Sequence, residues 1–247
     1  CMVGPDNKQI DTFDIIHKSI QLVHIMGSIF RQNNLESTSC GILLKLGIGR
    51  DNKIANFDIE SKILDCTLPF SENGRSYSIL HSFLTAATVD LKKNFYLPES
   101  EIHLNFFRKF DKNFNNKTKS RFKLNDYEIW NRFHSLLKYF EFSKEEIIDI
   151  LNIFSFLINI NELGMTKGEI NHSSGYIISK GVCSQRLSSL LKMDEDNFIH
   201  QMGVFKDVQV IKNTFISLMK YSYYIVYEYI LLKIKNKLNK YFIEINK

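Results

Sequence analysis

GILLKLGIGRDNKIANFDI, Gly41 to Ile59, is the stretch that decides the fold class. Ile42, Leu43, Leu44, Leu46 and Ile48 form a short apolar run, Arg50-Asp51-Asn52-Lys53 supplies turn chemistry, and Ile54, Phe57 and Ile59 follow. Two such runs on either side of a polar turn predict a β-hairpin. Gly47-Ile48-Gly49 is too short for a dinucleotide-binding fingerprint and reads as a bulge in that hairpin. These are the best strand candidates in the chain.

Outward from the hairpin the periodicity is helical. Before it, Phe13, Ile16, Ile20, Val23 and Met26 recur at spacings of three and four, predicting a helix over Ile10 to Met26 with Gly27 as its stop. After it, one helix is expected over Ser76 to Phe95 and another over Asp126 to Phe140, N-capped by Asn125. Ser143-Lys144-Glu145-Glu146 is a capping box ahead of Ile147, Ile150, Leu151, Phe154, Leu157 and Ile158. Gly164, Gly168, Gly175 and Gly181 punctuate what reads as a polar connection, followed by short helices over Ser184 to Met193 and Asp194 to Met202. A long helix from about Ile211 to Leu238 places Ile211, Phe215, Leu218, Ile225, Tyr229 and Leu232 on one stripe. The fold class expected is α+β, predominantly α-helical, without repeats or a clear linker.

Bulk properties exclude more than they select. A chain of 247 residues with 44% apolar and 13% aromatic side chains can bury a sizeable core. The net charge of +5 is concentrated in Arg108 to Lys123, which holds seven Lys or Arg and a single Asp. Interleaved with Asn113, Asn115 and Asn116, that block is expected to be a solvated loop rather than a nucleic-acid or filament contact. Cys1, Cys40, Cys66 and Cys183 form no C-x-x-C pair, which suits a reducing cytosol. Lys220 and Glu228 interrupt the most apolar region, Thr214 to Leu232, so no membrane span is expected. The histidines are scattered, no G-x-S-x-G elbow is present, and no Cys sits beside a His as an activated nucleophile would.

Segment order says more than any one motif. From Gly27 the chain is similar, without a gap, to the pattern E-A-F-G-N-A-K-T followed by N-x-N-S-S-R-F-G-K. Gly27 falls on its first Gly, Asn34 on the leading Asn, Ser37 and Thr38 on the two hydroxyl residues, and Gly41 on the closing Gly. IANFDIESKILDCT (54 to 67), NGRSYSILHSFLTAATVDLKK (73 to 93), EFSKEEIIDILNIFSFLINI (141 to 160) and LSSLLKMDEDNFI (187 to 199) then parallel later segments of the same family, in the same order. The family is the myosin motor head, and the first of these segments resembles its nucleotide-sensing loop, switch I. MKYSYYIVYEYILLKIKNKL resembles the aromatic helix that precedes switch II.

The resemblance implies a fragment of a P-loop NTPase motor. Residues 1–66 would be the switch I and transducer-strand segment, with the hairpin drawn from the central transducer sheet. Residues 67–247 would form the helical upper actin-cleft subdomain. It implies ATP and Mg²⁺ as ligands, an actin filament as partner and a cytoplasmic, cytoskeletal location. By position Ser37 would face the γ-phosphate and attacking water, Thr38 the metal, and Asn34 and Gly41 the nucleotide, since hard cations want oxygen ligands and a transferring phosphoryl wants positioned donors.

The chain departs from the family pattern at critical positions. The Arg that pairs with switch II in the family is Ser39 here, and losing one partner of a buried pair typically costs about 3–5 kcal/mol. Cys40 and Ile42 replace the family's Phe and Lys. No G-x-x-x-x-G-K-[ST] phosphate loop is present: Val3-Gly4-Pro5-Asp6-Asn7-Lys8 offers Pro5 where a donor is needed. The resemblance also places switch II beyond Lys247. This chain alone is therefore expected not to hydrolyse ATP.

Overall fold

A computed structural model describes residues 6–31, 34–38, 40–50, 54–63, 74–75, 77–99, 108–109, 116–160 and 162–245. In chain order the elements are α1 (Asp6–Gly27), β1 (Ser28–Arg31), β2 (Asn34–Thr38), β3 (Cys40–Ile48), β4 (Ile54–Ile63), β5 (Gly74–Arg75), α2 (Ser78–Ala86), α3 (Val89–Asn94), β6 (Arg108–Lys109), α4 (Asn116–Tyr139), α5 (Lys144–Ile160), β7 (Met165–Ile170), β8 (Ser173–Ile178), α6 (Val182–Leu190), α7 (Glu195–Met202) and α8 (Val208–Ile245). The molecule is thus α+β and mostly helical. Its strands make a four-stranded antiparallel sheet ordered β2-β1-β5-β6 and two separate hairpins, β3-β4 and β7-β8. No helix among the described residues is long and apolar enough to cross a membrane.

One buried cluster runs from Ile15 and Leu22 of α1 through Phe57 and Ile59 of β4 to Phe83, Phe133, Phe154 and Tyr223 of the helices. An aromatic ladder threads it. Trp130 stacks on Phe83 with centroids 4.8 Å apart, Phe83 lies 6.5 Å from Phe154, Phe154 lies 6.2 Å from Tyr223, and Tyr223 lies 4.3 Å from Tyr77. Such pairs add about 0.5–1.5 kcal/mol each beyond the area they bury, so the ladder fixes α2, α4, α5 and α8 relative to one another. Asp126, fully buried on α4, accepts from Ser82 (3.1 Å) and Thr85 (3.4 Å) of α2, which sets the register of that helix pair.

The hairpin read from Gly41 to Ile59 is present, longer by a few residues. Leu44 pairs with Ile59 and Leu46 with Phe57, and the register slips between Gly47 and Ile48, so that Ile48 meets Ile54. The expected bulge is therefore there, with Ala55 of β4 as the extra residue. The capping box forms as read: Ser143 N–H donates to Glu146 Oε2 (2.7 Å) and Glu146 N–H to Ser143 Oγ (3.1 Å), opening α5. Helices α6 and α7 also lie where periodicity placed them, and so does α1, although it starts at Asp6 and leaves Phe13 of its expected apolar stripe exposed.

Other expectations are corrected. Ser76 to Phe95 is two helices, because Ala87 turns extended and the Thr88 hydroxyl accepts from Leu91 N–H (3.3 Å) to cap a fresh start at α3. Asn125 is interior to α4 rather than its cap; Lys117 to Leu124 contains neither Gly nor Pro, so nothing stops the helix from starting at Asn116. The basic stretch is accordingly not one loop, since Arg108 and Lys109 form β6 and residues 116–123 are helical. The Gly-punctuated connection is the hairpin β7-β8. On α8 the buried stripe is Ile211, Phe215, Met219, Tyr223, Tyr227, Ile230, Ile234, Leu238 and Phe242, whereas Ile225, Tyr229 and Leu232 are exposed. Steps of four advance the stripe by roughly 40° each on a helix of 3.6 residues per turn, so it winds around α8 as the helix passes over successive neighbours.

Asp51, Asn52, Lys53, Cys1, Cys66, Ser39 and residues 110–115 lie outside the described residues.

Candidate functional site

The residues singled out by the resemblance lie where α1 ends and two strands begin. Ile15, Leu22, Val23 and Met26 bury one face of α1, and Gly27 closes it against β2 and β3. The approach there is close: a Cβ on Gly27 would stand 2.3 Å from Cys40 Sγ and 2.9 Å from Thr38 Oγ1, so only glycine fits. The chain then runs out along β1 and back along β2, pairing Ser28 with Thr38, Ile29 with Ser37 and Arg31 with Asn34. Asn34, Ser37 and Thr38 therefore sit on the edge strand of the four-stranded sheet, and the chain passes through Cys40 and Gly41 into β3. The side chains of Asn34 and Ser37 lie outside the described part of the structure.

Thr38 is turned toward the end of α1. Its hydroxyl donates to the Gly27 carbonyl (3.2 Å), accepts from Cys40 N–H (3.2 Å) and lies 2.9 Å from the Cys40 thiol. A hydroxyl has one proton and two lone pairs; the proton goes to Gly27 and one lone pair to Cys40 N–H, and since the Cys40 thiol also lies 3.9 Å from the Val23 carbonyl, the second lone pair of Thr38 Oγ1 is the one that could still reach outward. Gly41 is tied down too. Its carbonyl accepts from Ser61 Oγ (2.9 Å), and that Oγ in turn accepts from the Tyr227 hydroxyl on α8. One turn earlier on α8, the Tyr223 hydroxyl donates to the Met26 carbonyl at 2.5 Å.

Two α8 tyrosines thus hold both flanks of the segment from Ser28 to Cys40, Tyr223 the end of α1 and Tyr227, through Ser61, the start of β3. Burial pushes both phenols above the ordinary tyrosine range, which keeps them protonated donors. Sequence reasoning missed them. Their four-residue spacing on an apolar helix is the only signal, and Tyr221, Tyr224 and Tyr229 crowd it.

The second feature of this region is what β3 leaves uncovered. Phe57, Ile59 and Ser61 of β4 are buried, and they pair with Leu46, Leu44 and Ile42 on the same face. Yet β3 hangs beyond the core: Leu43 is 55% exposed, Leu46 54% and Ile48 70%. Among the described residues its outer edge pairs with no strand. A diagonal ion pair, Lys45 with Glu60, is the main polar contact across the ribbon's other face.

Among the described residues no three His, Cys, Asp or Glu side chains are grouped to hold a metal ion. No protein-family model matches this chain, and no curated protein matches it significantly.

Proposed function

We propose that this chain is the switch I, central-sheet and helical upper-subdomain portion of a divergent myosin-type motor head, a head that couples ATP hydrolysis to movement along actin. The observation that carries this reading is the open edge of β3. Among the described residues β3 pairs on one edge only, and aliphatic residues on both faces of such a strand are the composition of an interior strand, which a further strand continuing the sheet would cover. The resembled family places this hairpin inside its transducer sheet. Element order supports the same reading: a helix ending at Gly27, the segment Asn34 to Gly41 entering a long hairpin, then a helical body.

On this reading ATP and Mg²⁺ belong to the assembled head, the partner is an actin filament, and the location is the cytoskeleton. Thr38 would reach a metal through the second lone pair of its hydroxyl. The Tyr223 and Tyr227 contacts would tell α8 whether that has happened. A second reading, a motor remnant serving as a non-enzymatic helical interaction module, is favoured by the inward engagement of Thr38 and by Ser39 in place of the family's Arg.

The test is a longer product of the same reading frame that includes a phosphate loop and switch II. The motor reading expects actin co-sedimentation released by ATP, and Mg-dependent turnover that falls at least about tenfold in Thr38→Ala, as loss of a ligand to the reacting centre does. A product that ignores actin and nucleotide alike leaves the remnant. The 247-residue chain alone is expected to show no ATP turnover.

A further inference from the structure

A cleft of about 430 Å³ opens between the end of α3 and α6, far in sequence from the switch I-like segment. Its size lies in the range of about 300–1,000 Å³ typical of small-ligand pockets. Val89, Tyr96 and Leu97 form its apolar wall, and Lys92, Lys93 and Arg186 bring three cations to it, against the single carboxylate of Glu99.

The walls are fixed. Helix α3 ends in a paired-bond cap, with Leu97 N–H on the Lys92 carbonyl (2.9 Å) and Tyr96 N–H on the Lys93 carbonyl (3.3 Å). The buried side chains of α5 pin that turn, since Asn159 Nδ2 donates to the Tyr96 carbonyl (2.9 Å) and Ser155 Oγ to the Phe95 carbonyl. Lys92 Nζ is held at the rim by the Glu99 carbonyl (2.9 Å). Lys93 and Arg186 have no ion-pair partner among the described residues. Lysines in the last turn of α3 offset its helix dipole, but Arg186 comes from a different helix, so dipole compensation does not account for its convergence on them. Beside these charges Val89 and Tyr96 are left exposed. Mutually repelling cations around a wet aromatic and aliphatic wall are relieved together by one kind of ligand.

We propose that this cleft binds a small organic anion, a carboxylate or phosphate monoester carried on a flat apolar body, with Tyr96 and Val89 against the body and Lys92, Lys93 and Arg186 around the anionic group. The inference is independent of the motor reading. It is tested on the 247-residue chain with phenyl phosphate and benzoate as probes and inorganic phosphate for comparison, following amide shifts and thermal unfolding. Saturable binding is expected for phenyl phosphate or benzoate, weakened by added salt. Lys93→Gln and Arg186→Gln should each loosen it about tenfold, the scale of one charge-assisted hydrogen bond, while Lys212→Gln, outside the cleft lining, changes nothing. Both cleft residues are at least partly exposed, so circular dichroism should show the variants folded. Inorganic phosphate binding as tightly as phenyl phosphate means an adventitious ion only and overturns the proposal. So does the absence of saturable shifts with every probe at millimolar concentration, or binding untouched by both substitutions.

Discussion

The two hairpins leave opposite chemistry in water. In β3-β4 the outer strand exposes Leu43, Leu46 and Ile48 and its free edge has no partner among the described residues. In β7-β8 the exposed residues are mostly polar, Thr166, Lys167, Glu169, Ser173 and Ser174 among them, yet the edge of β8 is closed. Phe205 bonds backbone to backbone with Tyr176, at 2.8 and 2.9 Å. Among the described residues, the β8 edge of the polar hairpin is bridged by its own chain at Tyr176 and the β3 edge of the apolar one is not. Composition and closure therefore carry separate information: an apolar edge left open marks a sheet to be continued, whereas a polar hairpin can be a completed element.

The largest expected effect attacks the closed edge. A Cβ on Gly175 would meet the Phe205 carbonyl oxygen at 2.4 Å and Val204 Cγ1 at 2.6 Å, and a backbone oxygen cannot swing aside. Gly175→Ala should cost about 3 kcal/mol in urea unfolding, at the upper end of overpacking costs. Gly168, directly opposite in the ladder, provides the control. Its Cβ would meet Ile177 Cδ1 at 2.4 Å and Cγ1 at 2.8 Å, a side chain that must change rotamer but no backbone atom, so Gly168→Ala should cost about 1 kcal/mol, clearly less than Gly175→Ala. Equal costs for the two would mean that the Phe205 closure contributes nothing.

Next in size are the α8 tyrosines that anchor the root of the open hairpin. Tyr223→Phe leaves the Met26 carbonyl unpaired and Tyr227→Phe removes the donor to Ser61. Each should cost about 1–2 kcal/mol by equilibrium unfolding. A pH dependence accompanies them. Burial holds both phenols above the ordinary value of 10.0, so the folded state keeps protons that the unfolded chain gives up. Their contribution is whole below pH 10 and is lost as pH climbs above it. The double Phe variant should therefore show a flatter loss of stability between pH 9 and 11, roughly bracketing that value, than the parent chain. Parallel pH curves for the two would remove the buried phenols as its cause.

What could be read from the sequence depends on the range of the forces involved. The Ser143 and Glu146 capping box and the β3-β4 hairpin are local: one closes within four residues, the other is announced by its own apolar run. Hairpin β7-β8 lacks that run. Its MTKGEI and SSGYII strands alternate weakly, and part of what holds them is Phe205, about thirty residues onward and invisible to any local window. The stripe of α8 departs from its periodic reading in the second half for a related reason, since which side of a helix is buried depends on what crosses it. At the candidate site, Gly27, Asn34, Ser37, Thr38 and Gly41 are singled out by the resemblance alone, not by any local pattern of their own. The engagement of Thr38 with Gly27 and Cys40, and the choice of Tyr223 and Tyr227 among crowded tyrosines, are tertiary facts.

The smallest expected effect is the most discriminating for the open edge. Leu46 faces the same side as buried Phe57 but is itself more than half exposed, so Leu46→Lys moves a charge into a place that water already reaches. If β3 is unpartnered within this chain, stability by urea unfolding should change by no more than about 0.5 kcal/mol, the usual range for surface substitutions. Self-association should change in the opposite sense: the parent chain presents a flat aliphatic edge that favours strand-to-strand sticking, and a Lys on that edge is what natural sheets use to prevent it. Sedimentation velocity across a concentration series should therefore show the parent associating and the variant remaining monomeric. A cost above about 1 kcal/mol would mean that Leu46 is already covered by its own chain, in which case the β3 hairpin is as complete as β7-β8 and the case for a larger sheet loses its carrying observation.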